Sequence, residues 1–232
     1  FLSSSLFAQD YLVSTPNTSL LIKATPGETV KIQYYGSKIE NSDIQGIYDA
    51  GMVFNADSYP AFGLQTMGEK AIAATQPDGN MSLDLKIEQV KQYPTKDGEV
   101  TEILLKDKVY PFEIKQYYKA YQGTDIISTW IEIMNNGKKS VTLYRFVSAY
   151  LPVQRGDNWL THFHGHWGAE NMLEEEKLTN GQKVISNKDG MVNTETDNPS
   201  FMLSIDGKPQ EEYGHILGGT LAWTGNYLLK MD

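Results

Sequence analysis

Strand-period alternation is the feature that most constrains this chain. Within residues 81–90, Leu83, Leu85 and Ile87 alternate with Asp84, Lys86 and Glu88, which is the pattern of a strand with one buried and one wet face. Ile127, Thr129, Ile131 and Ile133 share one strand face, residues 141–147 alternate again, and Phe201, Leu203 and Ile205 repeat the pattern. Turn-forming pairs separate these runs: Asp78-Gly79, Asp97-Gly98, Asp189-Gly190 and Asp206-Gly207. Asn135-Asn136-Gly137 lies between two alternating runs and predicts a β-hairpin, because Asn and Gly both tolerate positive φ. Residues 217–229 contain Gly218-Gly219 and Gly225-Asn226 and read as strand, turn, strand. Residues 169–178 depart from the pattern. They carry Glu174-Glu175-Glu176-Lys177 without an apolar stripe, so a solvated helical turn or a loop is expected there. Many short strands with frequent turns predict an all-β fold, a large antiparallel β-sandwich. No repeat, linker or low-complexity segment interrupts it, so one domain is expected.

Composition narrows the function classes. The net charge is −9 and no Lys/Arg cluster stands out, which argues against nucleic acid as a partner. With no cysteine, disulfide and thiolate chemistry are excluded. No run approaches the ~18 uninterrupted apolar residues of a membrane helix, so no membrane span is expected. Phe1-Leu2-Ser3-Ser4-Ser5-Leu6-Phe7-Ala8 reads like the remnant of a signal peptide cut after Ala8, which predicts export to the periplasm or outside of a bacterial cell. The charged n-region of that pattern is missing, and Leu6 is larger than the usual residue three before a cut.

His162, His164 and His166 occupy alternate positions and would share one strand face, which raises the question of a metal. Consecutive same-face residues are roughly 6–7 Å apart in a strand, which suits a common ion poorly. The one other histidine is His215. No metal site is expected. By the same parity the histidines face solvent or a polar rim, while Phe163 and Trp167 face the core. Trp167 is then a core residue whose loss unfolds the domain, and His164 a dispensable one. No Ser-His-Asp arrangement, phosphate loop or paired carboxylates stand out, and no cofactor is implied.

Three blocks of residues resemble a known family. Tyr59-Pro60-Ala61-Phe62-Gly63 is followed by the turn Asp78-Gly79-Asn80. A middle block runs through Tyr121 to Asp125, then Ile133-Met134-Asn135-Asn136-Gly137 and a second strand over 141–148. The third block holds Gly156-Asp157, Leu160, Gly165, Trp167 and Glu170, and Asn198-Pro199 with Phe201 and Gly225-Asn226-Tyr227 extend it. In order and spacing these blocks, over most of residues 30–229, resemble the N-terminal β-sandwich domain of glycoside hydrolase family 36, the α-galactosidase family. Thr66, Gly68 and Ala169 stand where the family commonly has Asp, Arg and Arg, and Glu69-Lys70-Ala71 replaces its usual Ala/Pro-rich text.

The resemblance implies a galactose-mutarotase-like supersandwich over residues 9–232, with its last strands beyond Asp232. It implies that both catalytic aspartates of a retaining mechanism lie on a (β/α)8 barrel absent from this chain. No catalytic residue is therefore expected here, and the chain alone should be inactive. The implied partners are the protein's own catalytic barrel, galactosides or oligosaccharides, and further copies in a homo-oligomer. In tetrameric members a loop before the Tyr-Pro motif reaches a neighbouring subunit's sugar pocket. The matching region is 43–59, where Tyr48, Asp49, Asp57 and Tyr59 have suitable chemistry: a carboxylate accepts sugar hydroxyls and a ring covers an apolar sugar face. Asp49 and Asp57 also suit ordinary turns, and Tyr59 suits packing before Pro60. The alternative reading is a stand-alone carbohydrate-binding β-sandwich, which would need an exposed aromatic platform such as Trp130 or Trp159.

Overall fold

The computed structural model describes residues 9–64, 68–154, 156–191 and 195–232. The signal-peptide reading of residues 1–8 and the departure at Thr66 lie outside the described residues. The chain divides into two compact units, Phe1–Val153 and Gln154–Asp232.

The first unit is built from two four-stranded antiparallel sheets and a ribbon. One sheet orders β1 (Gln9–Ser14), β2 (Thr18–Ala24), β3 (Lys31–Ser37) and the short β4 (Ala56–Asp57) side by side. The other is a meander of β6 (Leu85–Thr95), β7 (Gly98–Asp107), β8 (Phe112–Tyr121) and β9 (Ile127–Asn135). The ribbon pairs β5 (Ile72–Thr75) with β10 (Thr142–Phe146). A single helix among the described residues, α1 (Ile44–Asp49), bridges β3 and β4. Alternation decides the packing. Leu20, Ile22 and Ile32 from the first sheet meet Leu85, Ile87, Ile103, Leu105, Phe112 and Ile114 from the second in one buried cluster, and Ile72 and Ala74 of the ribbon join it.

The alternating run at 127–133 is strand as expected, while in 81–90 the strand begins only at Leu85 and Leu83 precedes it: Leu83, Leu85 and Ile87 are buried, and Ile127, Ile131 and Ile133 pack against the core. The hairpin expected at Asn136-Gly137 does not form. β9 pairs with β8, and β10 crosses to β5. Neither Asn136 nor Gly137 takes positive φ. Instead the Asn135 side chain accepts from Gly137 N (3.0 Å) and donates to Lys139 O (2.8 Å), while Asn136 N donates to Pro111 O (2.8 Å). Local turn chemistry gives way because Val141 and Val147, at either end of β10, pack on the common core.

The second unit has a sheet ordered β12-β11-β14-β15 and a ribbon of β13 and β16. The sheet strands are β11 (Trp159–His166), β12 (Ala169–Lys177), β14 (Ser200–Ile205) and β15 (His215–Thr220), and the ribbon strands are β13 (Lys183–Asn187) and β16 (Tyr227–Met231). Leu160, Ile185 and Tyr227 form its buried centre, with Phe201, Leu221, Leu229 and Met231 around them. Residues 169–178 are therefore strand, correcting the expected helical turn or loop. β12 makes a seven-pair antiparallel ladder with β11 that places Glu174 opposite His162 and Glu176 opposite Leu160. The run of glutamates is helix-prone in isolation, but pairing with β11 satisfies its backbone and leaves most side chains in water.

Asp125, in the β8–β9 connection, clasps the β1–β2 turn more than a hundred residues away. Its carboxylate accepts from Thr15 Oγ1 (2.9 Å), Asn17 N (2.8 Å) and Asn17 Nδ2 (2.8 Å). The Asn17 side chain, the Asn17 amide and the Thr15 hydroxyl hold its pKa below the usual carboxylate range. A folded-state pKa below the unfolded one means the clasp contributes fully above about pH 4 and is lost as pH falls through the folded value. Asp125→Asn should therefore lower stability at neutral pH. In urea titrations across the acid range, its deficit against the parent should shrink as pH falls below about 4; a constant deficit would contradict the clasp.

Candidate functional site

Two regions carry the chemistry singled out in the sequence: the segment 43–59 in the first unit, and the histidine strand in the second. In segment 43–59, α1 carries Tyr48 and Asp49. Tyr48 Oη donates to Asp10 Oδ1 (2.7 Å), and Lys23 Nζ sits 5.3 Å from the centre of its ring. Burial first, then Asp10, pushes the Tyr48 pKa well up. Asp49 is exposed and accepts from Gln45 Nε2 (2.7 Å), a one-turn contact along the helix. After the helix the chain turns back through Asn55, at φ 47°, into β4. There Asp57 pairs with Lys31 of β3 at 2.9 Å and is mostly covered. Tyr59 is buried and donates its hydroxyl to Val147 O (2.8 Å); burial pushes its pKa up.

The four candidates thus fall into two pairs, and among the described residues no hydrogen bond joins Tyr48 or Asp49 to Asp57 or Tyr59. Asp57 and Tyr59 are engaged in holding β4 and the Tyr-Pro block to the core. Asp49 presents an exposed carboxylate, and Tyr48 a partly covered ring.

The histidine strand differs from the parity expectation in both directions. His162 is 3% exposed, whereas Trp167 is 85% exposed, which corrects the assignment of Trp167 to the core. The inward face of β11 is the one that carries Leu160 and His162, since Leu160 is fully buried. Beyond it a register shift between His164 and His166 breaks the alternation. Trp167 then falls in the β11–β12 turn beside Gly168, whose φ of 76° suits glycine. His166 is exposed and its Nδ1 lies 3.1 Å from Trp167 O, so the three imidazoles do not converge.

His162 lies between two carboxylates of β12, with Nε2 3.4 Å from Glu174 Oε2 and 3.5 Å from Glu176 Oε1. His164 Nδ1 is 3.7 Å from Glu174, and Glu176 also pairs with Lys183 of β13. Among the described residues no group of three or more His, Asp or Glu is arranged to hold a metal. An open groove of about 360 Å³ adjoins His164, lined also by Ser186, Asn187, Asp189 and Asp197. The Asn187 amide there is committed to Met191 O, Thr196 Oγ1 and Asp189 N.

Of the two tryptophans considered as platforms, Trp159 is half-buried and covered by Lys208, whose Nζ is 5.3 Å from the ring centre. Trp130 stacks on Tyr117, with centroids 4.8 Å apart and planes 7° from parallel. Sequence reasoning missed this pairing, because Tyr117 and Trp130 become neighbours only through the β8–β9 register.

The family described as glycosyl hydrolase family 36 N-terminal domain matches residues 28–232, which run through both compact units. The α-galactosidase AgaA of Geobacillus stearothermophilus is 23% identical over 189 residues, covering 75% of this chain and 26% of that protein. The α-galactosidase Mel36A of Lactobacillus acidophilus is 25% identical over 246 residues, covering 92% of this chain and 33% of that protein. Among solved structures, the family 36 α-galactosidase AgaA superposes with a TM-score of 0.83 at 19% identity, over 96% of this chain and 35% of that one. The galactosidase domain of the α-galactosidase–sucrose kinase AgaSK superposes with a TM-score of 0.81 at 21% identity, over 95% and 35%. The chain therefore spans between a quarter and a third of the length of the first two relatives, and the superpositions establish a shared fold.

The site geometry predicts opposite outcomes for its two most conspicuous side chains. Trp167→Ala should change stability by no more than about 0.5 kcal/mol, as for an exposed side chain away from any packing. His162→Ala, which empties a buried position between two glutamates, should cost on the order of 2–3 kcal/mol. Chemical denaturation of the two variants tests this, and the reverse ranking would restore Trp167 to the core.

Proposed function

This chain belongs to the family of glycosyl hydrolase family 36 N-terminal domains, and on that premise we propose that it is the accessory domain, over residues 9–232, of an exported α-galactosidase. Its role is to pack on a catalytic (β/α)8 barrel carried elsewhere in the protein. The observation that carries the reading is the family match across residues 28–232, supported by relatives that are α-galactosidases. The parent hydrolyses terminal α-galactosides by retention, with a nucleophile and an acid/base on the barrel roughly 5–5.5 Å apart. The leader-like text of residues 1–8 supports export to the periplasm or beyond.

The segment 43–59 contributes to a neighbouring subunit's sugar pocket in a homo-oligomer. Within it, Asp49 on α1 is the exposed carboxylate that accepts sugar hydroxyls, with lone pairs beyond the one Gln45 uses, and Tyr48 lies beside it. Asp57 and Tyr59 brace the segment from the core side, through Lys31 and Val147.

Purified alone, the chain should not turn over a chromogenic α-galactoside, whereas the full-length gene product should. Turnover by the isolated chain that is abolished by a substitution within it would sink the accessory-domain reading. In the full-length enzyme, Asp49→Ala should raise KM about tenfold with kcat nearly unchanged, the pattern for lost uniform binding through a charged hydrogen bond. Tyr59→Phe should instead cost about 1 kcal/mol of stability and leave KM alone. An Asp49→Ala enzyme with parental KM would remove the segment from the pocket.

A further inference from the structure

The outer face of the β6–β9 sheet holds a braced aromatic ring that the accessory-domain role does not use. Trp130 stands on β9, the edge strand. One face of its indole is covered by Tyr117, stacked at 4.8 Å and nearly parallel. Trp130 as a residue nevertheless remains 37% exposed, and Tyr117 stacks on one side of its ring. Tyr117 is itself fixed: it is 6% exposed, and its hydroxyl donates to Glu132 Oε2 (3.1 Å). The indole is thus held in place before any ligand arrives, which removes much of the ordering cost of binding.

The flanks are polar. Ser128 and Glu132 lie two residues to either side of Trp130 on the same strand face, roughly 6–7 Å away along β9, about the width of a pyranose ring. Glu132 is exposed and keeps lone pairs beyond the one that Tyr117 uses. Across the strands, Tyr93 of β6 adds a second ring, 38% exposed, on this face. Beside it Glu102 is flanked by Lys91 and Lys115, at 4.0 and 3.9 Å. A rigid apolar plate bordered by acceptors and donors matches a ligand with one apolar face and a hydroxylated rim. A galactopyranose has that form. Its axial 4-hydroxyl leaves the C–H groups at C3, C4 and C5 together on the opposite side of the ring, as one apolar patch.

We propose that the Trp130–Tyr117 stack, with Ser128 and Glu132 at its rim, is a non-catalytic binding site for a terminal α-galactosyl residue of an oligosaccharide. The galactosyl preference rests on the proposed function, while the stacking site rests on the sheet geometry. Trp167 and Trp223 are more exposed, at 85% and 60%, but among the described residues no aromatic ring stacks against either, so they serve as internal controls against indiscriminate sugar contact.

The test is ¹⁹F NMR of the chain labelled with 5-fluorotryptophan, which gives four signals for its four tryptophans. The Trp130 signal is assigned from Trp130→Phe, and the probe is raffinose, with sucrose as the control that lacks the galactosyl residue. The expected result is a saturable shift of the Trp130 signal with raffinose and none with sucrose, while Trp167 and Trp223 stay still. On a matrix bearing immobilised α-galactosyl groups, Trp130→Ala should lose retention and Trp130→Phe keep part of it, with both variants matching the parent in thermal unfolding. No Trp130 response, an equal response to sucrose, or movement of Trp167 and Trp223 instead would overturn the site. A Trp130 response in a protein whose full-length form has no α-galactosidase activity would leave the site standing and remove the enzyme reading.

Discussion

The first unit depends on one shared core. Strands of two sheets and β5 of the ribbon turn apolar side chains into a common interior. Ile22, Ile32, Ile72, Ile103 and Ile114 are fully buried, and Phe112 is 1% exposed. Each such side chain stabilises by about 1.5–3 kcal/mol when removed from water, and burial is the dominant favourable contribution to folding. That interior explains why β10 leaves its sequence neighbour β9. Val141 and Val147 reach the core beside β5, and the backbone then finds its ladder there. The polar faces are left on the outside, and one of them carries the braced Trp130.

Two aspartates fasten the connections around this core. Asp125 joins the β8–β9 turn to the β1–β2 turn through Thr15 and Asn17. Asp107, at the end of β7 and 8% exposed, accepts from the backbone of Asp84, Val109 and Tyr110 at 2.7–2.9 Å. In both cases a carboxylate takes up donors that a turn leaves unpaired, which loops near a core require. The segment 43–59 is held differently. One end is fixed by Tyr48 on Asp10 and the other by Asp57 on Lys31 and Tyr59 on Val147. Asp49 lies between these anchors, with its carboxylate exposed.

The second unit places polarity inside and apolar surface outside at one hairpin. His162 is enclosed with Glu174 and Glu176 close by, and Lys183 neutralises part of that charge. At the other end, Trp167 projects from the turn. A single register irregularity between His164 and His166 separates the two outcomes: before it, Leu160, Thr161 and His162 are all enclosed, and after it, Trp167 falls in the turn.

The sequence by itself determined that this is a β protein, where most of its strands run, and which family it belongs to. Period-2 alternation reports burial of one strand face directly, as at Leu83, Leu85 and Ile87, and the order of the Tyr59-Pro60, Asn135–Gly137 and Gly156–Glu170 blocks survives as text. Only the tertiary structure decided strand partners and facing. A period of two says that neighbours alternate but not which set is inward, so it does not place His162 inside, and Trp167 leaves the alternation altogether by falling in the β11–β12 turn. Residues 169–178 have no apolar stripe of their own and become strand because β11 supplies the ladder. Asn136-Gly137 could have closed a hairpin, yet long-range burial of Val141 and Val147 outweighed a local turn preference. The Tyr117–Trp130 stack depends on cross-strand register, and register is fixed by the packing of whole sheets rather than by any segment read alone.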